Sequence, residues 1–139
     1  MKSTTISSSL TASPVVTVVR GDSAPGVSRA RQAARALTDR LIPAPPPEMA
    51  DTLVLVVSEL VTNALRHGGG VFSLRLTAHL DAIEVAVDDA SPRMARMRAP
   101  DLTDAGGGFG WPMVNRLARA TAITSRRAGG KTVTAFLPR

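Results

Sequence analysis

A chain of 139 residues, 44% of them hydrophobic, is long enough to bury one core, and this sets the expectation at one domain over residues 14–139. The absence of cysteine excludes disulfides and thiolate metal sites, two histidines are too few for a histidine-rich zinc site, and no apolar run approaches the ~20 residues of a membrane span. The net charge of +6 and pI of about 11.4 come almost wholly from arginines spread along the chain, with Phe72, Phe109, Trp111 and Phe136 the only aromatics for base stacking, which argues against a nucleic-acid partner.

Residues 1–13 are rich in serine and threonine without periodicity and read as a disordered tail. Lys2 is not followed by an apolar segment, so no signal peptide is expected and a cytoplasmic location is. Pro14 to Arg20 is β-branched and reads as a strand, placed at a sheet edge by its proline. Ser23 is positioned to cap a helix with Pro25 in its first turn. Val27, Ala30, Ala34, Leu37 and Leu41 then recur at helical spacing, opposite a solvated face of Arg31, Arg35, Asp39 and Arg40. The prolines between Ile42 and Pro47 end that helix.

A second helix is predicted from Glu48 to His67, apolar almost all round and therefore largely buried, with Gly68 to Gly70 stopping it. Val71–His79 and Ile83–Val87 read as strands joined by a turn at Leu80 and Asp81. Asp88 to Gly108 lacks a period and reads as a long, lid-like loop. A short helix from Gly110 to Ala118 follows, then strands Ala120–Ser125 and Thr132–Leu137 with a turn at Ala128, Gly129 and Gly130. This order fits a two-layer α/β sandwich, with helices on one face of a mixed, mostly antiparallel sheet.

Four features carry chemistry. On the second helix Glu59 and Asn63 lie one turn apart, Arg66 continues their stripe and His67 lies at its edge. An acid and an amide in so apolar a helix need partners. Asn63 has a hard oxygen for Mg2+, and Glu59 is suited to orient or deprotonate a hydroxyl or water. The alternative is a stripe that simply faces water. Asp89, after the strand in VAVDDASP, can accept a hydrogen bond from an exocyclic amino group such as that of adenine; Asp88 is the alternative reader, and a plain turn the alternative reading. Gly106, Gly107, Gly108, Phe109 and Gly110 precede a helix, where close backbone and a helix N-terminus suit phosphate.

The fourth feature is Gly130, Lys131 and Thr132. It is not a phosphate-binding P-loop, because Ser125 stands where that motif needs glycine and no helix follows. A dinucleotide fingerprint also fails, since Trp111 follows Gly106 and Gly108 where its third glycine belongs.

Taken in order, ELVTNALRHG, VDDASP, GGGFG and GKT closely resemble the histidine-kinase-like ATPase superfamily over residues 14–138, and within it the stand-alone branch of anti-sigma-factor serine kinases. The resemblance implies a Bergerat-type ATP-binding fold with ATP and Mg2+ as ligands. It implies Glu59 as general base, Asn63 as magnesium ligand, Asp89 as reader of the adenine amino group, Gly108 and Gly110 in the lid and phosphate loop, and Thr132 as support for the nucleotide site. The remaining nucleotide contacts are expected at Arg66, His67, Ser91, Gly106, Gly107, Phe109 and Lys131. Ser91 and Arg93 stand where the family usually has glycine.

The implied activity is ATP-dependent serine/threonine phosphorylation of an anti-sigma antagonist, with a sigma factor as second partner; dimers are common in the resembled branch. No phosphoacceptor-histidine domain is expected beside it. The alternative is a non-catalytic ATP-binding module that sequesters a protein partner, and the more distant one a basic nucleic-acid-binding protein.

Overall fold

The computed structural model describes residues 15–91 and 110–139. The expected tail at 1–13 and most of the expected lid therefore lie outside the described residues. Strand β1 spans Val15–Gly21, helix α1 Ala24–Arg40, helix α2 Pro47–His67, β2 Phe72–Ala78, β3 Ala82–Asp89, helix α3 Gly110–Leu117, β4 Ala120–Ser125 and β5 Lys131–Pro138. The five strands form one open sheet in the order β1-β2-β3-β5-β4, so β1 is an edge strand as its flanking proline predicts. Among the described residues every pairing is antiparallel, in keeping with the expected two-layer sandwich on a mostly antiparallel sheet.

The described helices cover one face. Successive strand residues point to opposite faces; on β2 and β5 burial alternates, while on β3 the small residues Ala82 and Ala86 are buried as well. Leu74, Leu76, Ile83, Val85, Val87, Val133, Ala135 and Leu137 join the core beneath the helices. The opposite face carries Arg75, Glu84, Asp88, Thr132 and Thr134, with Val16 and Val18 exposed at its β1 edge.

Helix α1 starts after Ser23, whose side chain makes no capping bond, contrary to its predicted role; Pro25 in the first turn starts the helix instead. Its small residues Ala30 and Ala34 let it lie close on α2, and Arg31 donates from Nε and Nη2 to Ser58 Oγ at 3.1 and 2.8 Å.

Helix α2 is less enclosed than its composition predicts. Leu53, Val56, Val57, Leu60, Val61 and Ala64 are buried, while Leu55 remains 46% exposed. Each buried Val or Leu stabilises by ~1.5–3 kcal/mol, so this stripe sets the rotation of α2 about its axis. That rotation carries Glu59 and Asn63 to the flank of the helix, half-buried, between core and solvent. Among the described residues no helix is long and apolar enough to cross a membrane.

Candidate functional site

Strand β3 runs on through Asp89 and does not end near Val87 as the sequence suggests. The two neighbouring aspartates consequently point to opposite faces. Asp88 lies on the face away from the helices. Its Oδ1 accepts from Thr132 Oγ1 at 2.5 Å and from Arg75 Nη2 at 3.3 Å, with Arg126 Nε 3.9 Å away. Asp89 shares parity with Val85 and Val87, beneath the helical layer, and is 5% exposed. Strand parity thus puts the two carboxylates between which the sequence leaves the choice open on opposite faces, with Asp89 beneath the helices.

A carboxylate buried to this degree needs partners. Asp89 Oδ1 accepts the Ser91 amide N–H at 2.9 Å, and Oδ2 lies 2.9 Å from Lys131 Nζ. Asp89 and Lys131 face one another across the β3–β5 ladder. The glycines around them leave room for this arrangement. A Cβ on Gly68, the residue that ends α2, would come within 2.6 Å of Asp89 Cγ. Gly130 has φ +83°, a left-handed conformation that favours glycine, and a Cβ there would overlap the Asp89 carbonyl oxygen. The amides of Ala90 and Ser91 both donate to the Gly68 carbonyl, at 2.9 and 3.1 Å, tying the end of β3 to the end of α2.

The second half of the site lies further back along α2. Burial pushes the Glu59 carboxyl above its ordinary range, while the Arg66 charge and a hydrogen bond from Asn63 pull the other way. Gly110, buried at the start of α3, sits directly against this carboxylate: a Cβ there would overlap the Glu59 carboxyl group. Glu59 is therefore held at the opening of α3, where the helix dipole favours negative charge. Trp111 follows, buried, its Nε1 without a hydrogen-bond partner among the described residues. Helix α3 is joined to the sheet through Asn115, which donates to the Trp111 carbonyl at 3.0 Å and accepts from Thr121 Oγ1 at 2.7 Å.

Glu59 and Gly68 are nine residues apart, about 13 Å along a helix axis. Asp89 at one end and Glu59 with Asn63 at the other thus mark a track along the flank of α2, closed at the far end by the first residue of α3. Arg66 and His67 lie between, in the exposed last turn of α2. Thr132 is not brought to this track. It stands on the other face of the sheet against Asp88, and Lys131 is the residue of the tripeptide that meets Asp89. The pairing of Lys131 with Asp89 is visible in the sequence only through parity, since Lys131 alternates with Val133, Ala135 and Leu137. Gly106, Gly107, Gly108, Phe109 and Arg93 lie outside the described residues.

Among the described residues no group of three or more acidic or histidine side chains could hold a metal by itself. One amide oxygen beside one carboxylate suits Mg2+ that keeps waters and shares a substrate's phosphate oxygens, the way this ion is usually held. A separate cleft bordered by Arg35, Asp39, Ala50 and Asp51 lies toward the N-terminal end of α2 and contains none of the site residues.

The model of the histidine kinase-like ATPase domain family matches residues 22–137. The match spans well over half of the chain, and the chain belongs to that family. No curated protein matches it.

Proposed function

We propose that this member of the histidine kinase-like ATPase family binds ATP with Mg2+ along the flank of α2 and transfers the γ-phosphate to a serine or threonine of a protein partner. The partner class is a small antagonist of an anti-sigma factor, with a sigma factor bound on another surface. What carries the reading is the seating of the Glu59 carboxylate against Gly110 at the opening of α3, with Asn63 one turn away. A base, a hard oxygen ligand and a helix N-terminus converge there, which is what phosphoryl transfer requires of a protein. The buried Asp89 carboxylate at the other end of the track is suited to accept from the 6-amino group of adenine.

In this reading Asn63 Oδ1 would hold magnesium, which when bound neutralises charge on the phosphate oxygens. Glu59 accepts the proton of the partner's hydroxyl as that oxygen bonds to the γ-phosphorus. The bond from phosphorus to the β,γ-bridging oxygen breaks and ADP leaves. A carboxyl raised by burial is a stronger base once ionised.

Incubation of the protein with Mg-ATP and candidate antagonists, followed by mass spectrometry for phosphoserine, tests this. Transfer by the wild type and none by Glu59→Gln, with ATP still bound, is expected. Bound ATP without phosphoserine would leave the non-catalytic binding module in its place.

A further inference from the structure

Asp89 is the carboxylate assigned to the adenine amino group, yet both of its oxygens are engaged within the chain. Oδ1 accepts the Ser91 amide N–H at 2.9 Å, and Oδ2 lies 2.9 Å from Lys131 Nζ. The lysine and aspartate side chains of this ion pair are 6% and 4% exposed, a depth at which charged side chains are found only when paired. A ligand that meets this carboxylate must therefore take the place of a group already there.

The groups around Asp89 differ in whether they can give way. A Cβ on Gly68 would lie 2.6 Å from Oδ2, and one on Gly130 would overlap the Asp89 carbonyl oxygen, so backbone presses on this residue from the end of α2 and from the turn before β5. The first of these is tied to β3 by the Ala90 and Ser91 amides, and the second leads directly into the β3–β5 ladder. The Ser91 amide is backbone as well. Lys131, by contrast, reaches the carboxylate with the tip of a flexible four-carbon stem. A buried carboxylate stripped of its partner is costly, so the ammonium leaves only when another donor arrives. The 6-amino group of adenine is such a donor. It offers N–H but no positive charge, so the exchange gives up the compensation of a buried charge.

We propose that Lys131 is an autoinhibitory contact: in the nucleotide-free protein its ammonium occupies the carboxylate that reads adenine, and ATP binds by displacing it. This rests on the nucleotide reading of the site given above. The amino group then replaces a contact that the chain already makes and adds little to affinity. Without Lys131 it would add the full value of a hydrogen bond to a buried charge.

Lys2 and Lys131 are the only lysines, so isotopic labelling of lysine alone gives two ammonium groups to follow by NMR. In the nucleotide-free wild type the Lys131 ammonium protons are expected to be protected from exchange with water, and saturating Mg-ATP to abolish that protection. The magnesium complex of purine riboside triphosphate, which has C–H where ATP has its 6-amino group, should leave them protected. By calorimetry, the wild type should bind ATP and this analogue within about threefold of one another. Lys131→Ala should bind ATP tenfold or more tighter than the wild type does, and tenfold or more tighter than it binds the analogue, the size of one hydrogen bond to a charged group. If that variant does not fold, the NMR measurement on the wild type decides alone. ATP binding that leaves the Lys131 ammonium protected, or ATP affinity unchanged in Lys131→Ala, overturns the displacement and leaves the ATP site standing. Failure of both proteins to bind either nucleotide overturns the nucleotide reading itself, and this proposal with it.

Discussion

Lys131 Nζ lies 2.9 Å from Asp89 Oδ2, and the two side chains are 6% and 4% exposed, a closed ion pair across the β3–β5 ladder. Removing one member of such a pair strands the other charge without water. Lys131→Met is expected to lower the unfolding free energy by about 3–5 kcal/mol, read by chemical denaturation. The double variant Lys131→Met/Asp89→Leu should recover most of that loss, because an apolar pair of similar volume carries no desolvation penalty. A single variant that costs under about 1 kcal/mol would contradict the burial of the pair.

Glu59 makes an opposite prediction. Burial raises its folded-state pKa above the ordinary value of 4.5. A raised carboxyl binds its proton more tightly in the folded state, so the stability it contributes is full below pH 4.5 and is lost as pH rises through the folded value. Glu59→Gln removes the buried charge, and the variant should melt at a higher temperature than the wild type at pH 7. The two should converge below about pH 4.5. Wild-type turnover should fall as pH drops through the raised value, because the base must be ionised to accept a proton. A variant less stable than the wild type at pH 7 would contradict the sign.

Gly110→Ala separates activity from stability. The added methyl would overlap the Glu59 carboxyl group, the movable end of a flexible side chain. Glu59 can swing aside, and alanine is favoured over glycine in a helix by up to ~1 kcal/mol, so the fold should be nearly unaffected. Phosphoryl transfer should fall at least tenfold as the base is displaced, since small misplacements of a catalytic group have effects of about this size or larger. Unchanged turnover would remove Glu59 from the reaction.

Thr132→Val tests the assignment of faces. The hydroxyl serves Asp88 on the side of the sheet away from the helices. Its loss should lower stability by about 1–2 kcal/mol and leave Mg-ATP affinity within about twofold. A large loss of affinity would bring Thr132 back to the nucleotide site.

Much of this architecture is legible in the residues. The alternation of Leu74, Leu76 and Ala78 on β2 marks a half-buried strand, and the run from Glu48 to His67 marks α2 to within one residue of its start. The chemistry was harder to orient than to find. VAVDD offers two adjacent carboxylates, and their roles depend on whether pairing with β5 carries the strand through Asp89, a tertiary fact. On β5, Phe136 and Leu137 are both apolar, which blurs the alternation that would otherwise have put Lys131, not Thr132, beneath the helices. The apolar sequence of α2 also overstates its burial: the helix packs on the sheet and against α1 and α3, yet Leu55 remains exposed on its outer side.

The central claim is a nucleotide site spanning Asp89 and Glu59 along α2, and calorimetric titration of Mg-ATP into the wild type and Asn63→Ala tests it most directly. Magnesium-dependent binding by the wild type, weakened tenfold or more by the substitution, is the expected result, in line with the loss of a metal ligand. Absence of binding by the wild type, or binding indifferent to both magnesium and Asn63, would contradict it.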